Sequence, residues 1–204
     1  MRAKKIILLV LLAILASSCK GEEIRRCELP EGIIPYELGQ IISFTDNEGK
    51  VIDLTVTENS TKWIREDIDS GGLIDDEYTL SEIKTVVLKS EANNFEIRLV
   101  NGYHSDCDPC KDYTLRIGIY VNNRWDCILS FDRKGNYLNH GGSTSFHESL
   151  EINGKVYLNV VEKIGCMDHG VYDGSYQLYY NKPYGILQIN REGENFLTLN
   201  HSNR

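Results

Sequence analysis

Leu115-Arg116-Ile117-Gly118-Ile119-Tyr120-Val121, then Asn122-Asn123-Arg124, then Trp125-Asp126-Cys127-Ile128-Leu129-Ser130-Phe131, carries a regular apolar alternation on both sides of an asparagine pair. Leu115, Ile117, Ile119 and Val121 fall on every second position, as do Trp125, Cys127, Leu129 and Phe131. An extended chain points successive side chains to opposite faces, so each half presents one apolar face to a core. Asn122-Asn123 supplies the turn, and the whole reads as a pair of antiparallel strands.

The same pattern spreads outward in both directions. Downstream, Asp132 to Gly135 turns the chain and His140-Gly141-Gly142-Ser143 extends a loop. Phe146 to Ile152 then runs through Asn153-Gly154 into Val156, Leu158 and Val160. Asn-Gly suits a type I′ hairpin, both of whose central residues need positive φ. Gly165 to Ser175 reads as a second irregular loop before Tyr176 to Tyr180, Ile186 to Ile189 and Phe196 to Leu199. Upstream, Ile41 to Thr45 and Val51 to Val56 flank Asp46-Asn47-Glu48-Gly49, a further hairpin. Between Glu58 and Leu80 the alternation lapses into an expected long connection, with a short helical turn at Thr79, where Thr79 and Glu82 have capping-box spacing. Thr85 to Lys89 and Phe95 to Leu99 resume the strands around Asn93-Asn94. About ten short strands with tight turns and no amphipathic helix make an all-β chain. The expectation is a single antiparallel meander curled into a barrel, half-barrel or sandwich.

Ahead of this region stand Arg2, Lys4 and Lys5, the apolar run Ile6 to Leu15, and the small residues Ala16, Ser17 and Ser18 before Cys19. The apolar run is far shorter than the roughly 20 residues that cross a bilayer as a helix. It has the order of a secretory signal. Leu15-Ala16-Ser17-Ser18-Cys19 resembles the lipobox of bacterial lipoproteins, with alanine at position 16 where that family usually has leucine. The resemblance implies cleavage before Cys19 and its acylation, which would make the lipid bilayer the chain's first partner. Lys20-Gly21-Glu22-Glu23 resembles the charged tag of surface-exposed lipoproteins of Gram-negative bacteria. That likeness implies an outer-membrane, cell-surface address. Pro35-Tyr36, Gly39, Phe44 and Gly49 near the start are similar to uncharacterised β-rich lipoproteins of the same group. Tyr179-Tyr180, Tyr184-Gly185-Ile186-Leu187, Gly193 and Phe196 near the end carry the same likeness. The expected organisation is therefore a signal peptide over 1–18, a lipidated charged tether over 19–33 and a β domain over 34–204.

The formal net charge is −8, and three units more negative once Arg2, Lys4 and Lys5 leave with the signal. A polyanion would be repelled by that field, so nucleic acid is not an expected partner. Acylation of Cys19 leaves five cysteines, and an exported chain meets an oxidising compartment that favours disulfides. Cys127 alternates in phase with apolar neighbours and reads as a buried thiol. Cys27, Cys107, Cys110 and Cys166 are the disulfide candidates, with a bridge from Cys107 or Cys110 to Cys166 preferred.

Cys107-Asp108-Pro109-Cys110 has redox spacing, but its flanks predict loop and strand instead of the helix N-terminus that lowers a thiol pKa. His104, Cys107, Cys110, Cys166 and His169 have metal-ligand types at short spacing, yet they lack a finger's packing pattern, and no metal is expected. Ser143, Ser145, His147 and Glu148, in the loop from His140 to Glu148, hold the residue types of a hydrolytic set, which geometry alone can make into one. The tyrosine-rich last third, with Tyr172, Tyr176, Tyr179, Tyr180 and Tyr184, could stack on a glycan or meet a protein. The reading is a membrane-anchored, non-catalytic binding or structural module without a cofactor, its ligand a glycan or a protein. The alternative is an envelope enzyme, redox-active at Cys107/Cys110 or hydrolytic at His140 to Glu148.

Overall fold

The computed structural model describes residues 24–67, 78–104, 114–122, 125–132, 134–138, 144–168 and 171–200. These form twelve strands: β1 (Ile24–Cys27), β2 (Ile41–Asp46), β3 (Val51–Asp67), β4 (Tyr78–Ser90), β5 (Phe95–His104), β6 (Thr114–Val121), β7 (Trp125–Phe131), β8 (Thr144–Ile152), β9 (Lys155–Asp168), β10 (Val171–Asn181), β11 (Gly185–Arg191) and β12 (Glu194–Leu199). No helix occurs among the described residues, and so none there could cross a membrane. From β2 to β7 each strand is antiparallel to the next. The same holds from β8 to β12. The single meander sheet curls into a half-barrel whose two runs meet twice. Three residue pairs join β12 to β2, and two join β7 to β9.

Period-two patterning decides which face turns inward. Leu115, Ile117, Ile119 and Val121 of β6 are buried, and so are Leu129 and Phe131 of β7, Ile97 and Leu99 of β5, and Leu54 and Val56 of β3. With Leu178, Ile189 and Leu197 from the second run they form one continuous core. The turns follow the sequence chemistry. Asn153 and Gly154 have φ of 50° and 74°, as a type I′ hairpin requires. Asp46 holds its turn by accepting hydrogen bonds from the N–H groups of Glu48 and Lys50 at 3.0 and 2.8 Å.

One end of the curled sheet is stoppered by the chain's own approach to it. Ile33, Ile34 and Tyr36 are buried in the core. Tyr36 accepts a hydrogen bond from the N–H of Ile186 at 2.7 Å, and its carbonyl accepts one from Asn59 Nδ2 at 2.9 Å. Tyr180 donates its hydroxyl proton to the Ile33 carbonyl. Farther back, β1 pairs in parallel with the start of β4, and the N–H of Leu29 donates to Glu82 at 2.7 Å. Within the tether expected over 19–33, residues 24–27 form β1 and Ile33 is buried. Its charged residues concealed Leu29 and Ile33, whose apolar side chains find the open end of the sheet.

Three expected irregular stretches are also strand. β3 continues to Asp67 and pairs with β4 from Tyr78, so the described part of the connection expected from Glu58 to Leu80 is strand; residues 68–77 lie outside the described set. A register shift between Val56 and Glu58 breaks the alternation there while the ladder continues. The helical turn at Thr79 is replaced by β4, whose Thr79 and Glu82 pair with Glu66 and Trp63. Gly165 to Ser175 is largely the end of β9 and the start of β10, offset by a register shift.

Candidate functional site

The site lies beyond the point where β7 and β9 meet. Trp125 pairs with Asp168 and Asp126 with Met167, and the next step of that register sets Cys127 against Cys166. Those two cysteines form a disulfide with Cα atoms 4.7 Å apart, near the short spacing of directly opposed residues in an antiparallel pair. This corrects two expectations. Cys127 is not a thiol, and Cys166 does not bridge to Cys107 or Cys110. The partners stand 39 positions apart, and Cys166 lies where an irregular loop was expected, so its inward phase was not readable.

Beyond the disulfide the two strands part. The edge of β9 is taken over by β8, from Thr144 opposite Lys163 to Ile152 opposite Lys155. Phe131, at the end of β7, instead makes a lone bridge with Tyr137. The gap is a cleft of about 620 Å³ lined by Phe131, Gly135, Asn136, Tyr137, Phe146, Asn159, Val161, Tyr180, Asn181, Lys182 and Pro183.

Its walls are apolar and its rim is polar. Phe146 is opposite Val161, and Val161 is opposite Tyr180, which places all three on one face across β8, β9 and β10. Phe131 meets Tyr137 edge-on at 6.0 Å and Tyr180 at 6.5 Å between ring centroids. Burial, and then the neighbouring Tyr36, push the Tyr180 hydroxyl well above its ordinary pKa, so it stays a neutral donor. Phe146 contrasts with these rings, being 51% exposed.

On the rim, Asn181 is already committed. It donates to the Leu158 carbonyl at 3.3 Å and accepts from the Tyr184 N–H at 3.0 Å. Asn136 is tied to the Asp132 carboxylate through its backbone N–H and its amide, at 2.7 and 2.9 Å. The side chains of Asn159, whose φ is 54°, and Lys182 have no hydrogen bond or ion pair among the described residues.

A second polar group lies on the opposite face of the same strands. Glu162, opposite Ser145 on β8 and Tyr179 on β10, receives His147 Nε2 at 2.6 Å, the Gln177 amide and, at 3.4 Å, the Tyr179 hydroxyl. Gln177 continues the chain by accepting from Asn190 Nδ2 at 2.9 Å, and Asn190 accepts from Gln188 Nε2 at 2.6 Å. Burial first, then the charge of Glu162 and its hydrogen bond, push Tyr179 up to about 12. The row spans four strands and crosslinks their outer face.

Of the expected hydrolytic loop His140 to Glu148, the described part is strand and not loop. Thr144 to Glu148 belongs to β8, so His147 and Glu148 point to opposite faces. The acid beside His147 is Glu162, brought there by pairing across the β8–β9 hairpin. Ser143 and His140 lie outside the described residues, as do Cys19, Cys107, Cys110 and His169. Cys27 and His104 are placed only by backbone, on β1 and β5. Of the candidate zinc set, Cys166 is spent in the disulfide and offers no thiolate.

The five tyrosines do not form one platform. Tyr180 is inside the core, Tyr176 is buried with the Arg191 guanidinium 5.6 Å from its ring centroid, and Tyr179 is on the outer row. Tyr184 stands edge-on to Tyr157 at 5.5 Å with Lys155 4.7 Å from its ring centroid. Tyr172 is placed on β10 by backbone alone. Sequence reading missed Glu162 and Lys182 because neither belongs to a motif. The signals available were Lys182 in the turn Asn181-Lys182-Pro183 and Glu162 alternating out of phase with Val161. No protein-family model, curated protein or solved structure matches this chain.

Proposed function

We propose that this protein is a lipid-anchored envelope protein that binds a ligand in the cleft beside β7 and β9 without transforming it. Leu15 to Cys19 and the charged residues 20–23 support its address: acylation at Cys19, attachment to the outer membrane, and exposure at the cell surface. Two or more acyl chains suffice for stable anchoring. The observation that carries the binding role is the cleft itself. A volume of about 620 Å³ falls within the range that buries most of a small ligand, and the walls combine aromatic rings with few polar groups, as ligand sites do.

The address is tested by Cys19→Ser. The expected result is a product that leaves the envelope fraction and lacks the mass of acyl chains; continued sedimentation with envelopes would overturn the anchor. Binding is tested by titrating a small-fragment library into isotope-labelled protein. Resonance shifts gathered at Tyr137, Phe146, Val161 and Lys182 are expected. Shifts spread evenly over the sheet, or none, would remove the cleft as a binding site. Turnover of any fragment would replace binding by catalysis.

A further inference from the structure

The proposed binding cleft has a charge preference written into it, and the inference here rests on that reading. Lys182 stands in the turn between β10 and β11 and extends over Gly135, where an added Cβ would lie 2.7 Å from its ammonium nitrogen. Gly135, at a φ of 72°, thus leaves room for a cation at the rim. In a chain of net charge −8, this ammonium has no carboxylate, hydroxyl or carbonyl partner among the described residues. The carboxylate in the adjoining turn, Asp132, is occupied by Asn136. The Asn159 amide, also at the cleft and equally without a described partner, adds a second donor. Beside them Phe131, Tyr137, Phe146 and Val161 supply ring and aliphatic surface, of which Phe146 is half exposed.

We infer that the cleft takes an amphiphilic monoanion: an apolar body, aromatic or aliphatic, carrying one carboxylate. The body would cover Phe146 and lie against Phe131, Tyr137 and Val161. The carboxylate would accept hydrogen bonds from Lys182 Nζ and the Asn159 amide. Charge-assisted hydrogen bonds of this kind are about twice as strong as neutral ones, so the charge selects among ligands of one shape. Uncharged sugars fit less well, since the aromatic and aliphatic side chains Phe131, Tyr137, Phe146 and Val161 offer them few partners.

The test compares phenylbutyrate with phenylbutanol, which share a body and differ in the charged end. Both are titrated by NMR into the wild-type protein and into Lys182→Met, with circular dichroism confirming that the variant keeps its fold. The expected result is shifts at the cleft residues for both probes, with the carboxylate about tenfold tighter than the alcohol, a preference that vanishes in Lys182→Met. Equal affinity for the two probes at the cleft, unchanged in the variant, would overturn the anion assignment while leaving a binding cleft in place. Absence of cleft shifts with either probe would overturn both.

Discussion

Gly185 shows how one residue can hold two distant parts of the chain together. Its φ is 76°, and a Cβ there would collide with the Tyr36 hydroxyl and ring. Tyr36 can therefore reach the Ile186 N–H only because position 185 lacks a side chain. Gly185→Ala is expected to cost about 2 to 4 kcal/mol through backbone strain and overpacking, read as a lower urea midpoint. Tyr36→Phe keeps the packing but leaves a buried N–H unpaired, at a cost of about 1 to 3 kcal/mol in the same measurement. A quieter residue effect sits at Glu96. The hydrogen bond from Lys89, opposed by partial burial and aided by the charges of Lys89 and Arg98, holds its carboxyl below the ordinary carboxylate range. A depressed folded pKa stabilises above the unfolded value and is lost as pH falls through the folded one. Glu96→Gln should thus destabilise by less than about 1 kcal/mol at neutral pH, a difference that shrinks as acid protonates the wild type. Urea titrations of both proteins between neutral and strongly acidic pH check this.

At the scale of elements, the two junctions that complete the curl are unequal in kind. The β12–β2 junction has three residue pairs, and the β7–β9 junction has two plus a covalent bond. The disulfide continues the register of the two β7–β9 pairs and so reinforces that junction. Replacing Cys127 and Cys166 together by alanine is expected to lower stability by about 2 to 4 kcal/mol. Amide exchange should locate the loss: Trp125 to Leu129 and Val161 to Cys166 should lose protection, while β3 to β5 should keep theirs. Uniform loss across the sheet would show that the junction is not a separate weak point. β8 contributes differently, since it borrows the edge of β9 that β7 leaves free and thereby brings Phe146 to the cleft and His147 to Glu162.

For the whole molecule, the approach segment matters as much as any strand of the sheet. Ile33, Ile34 and Tyr36 close one end of the core, and Tyr180 is held by the Ile33 carbonyl. Deletion through residue 36 should expose that end, lower the melting temperature and raise binding of a hydrophobic dye. Deletion through residue 23, which stops before β1, should leave the melting temperature unchanged. If the longer deletion melts like the full chain, the segment is a tether after all.

The all-β meander and its inward faces follow from local pattern. Alternation in stretches such as Leu115 to Val121 depends only on the two-residue period of an extended chain, and Asn153-Gly154 only on which residues accept positive φ. Register shifts near Val56 and Asp173 disturbed that period, which is why β3, β9 and β10 run longer than their patterns suggested. The partnerships arise from the folding of the whole sheet: Tyr36 with Gly185 and Ile186, Cys127 with Cys166, His147 with Glu162, and Lys182 over Gly135. Each depends on which strands curl together, and that is set by the packing of one shared core, which no local pattern encodes.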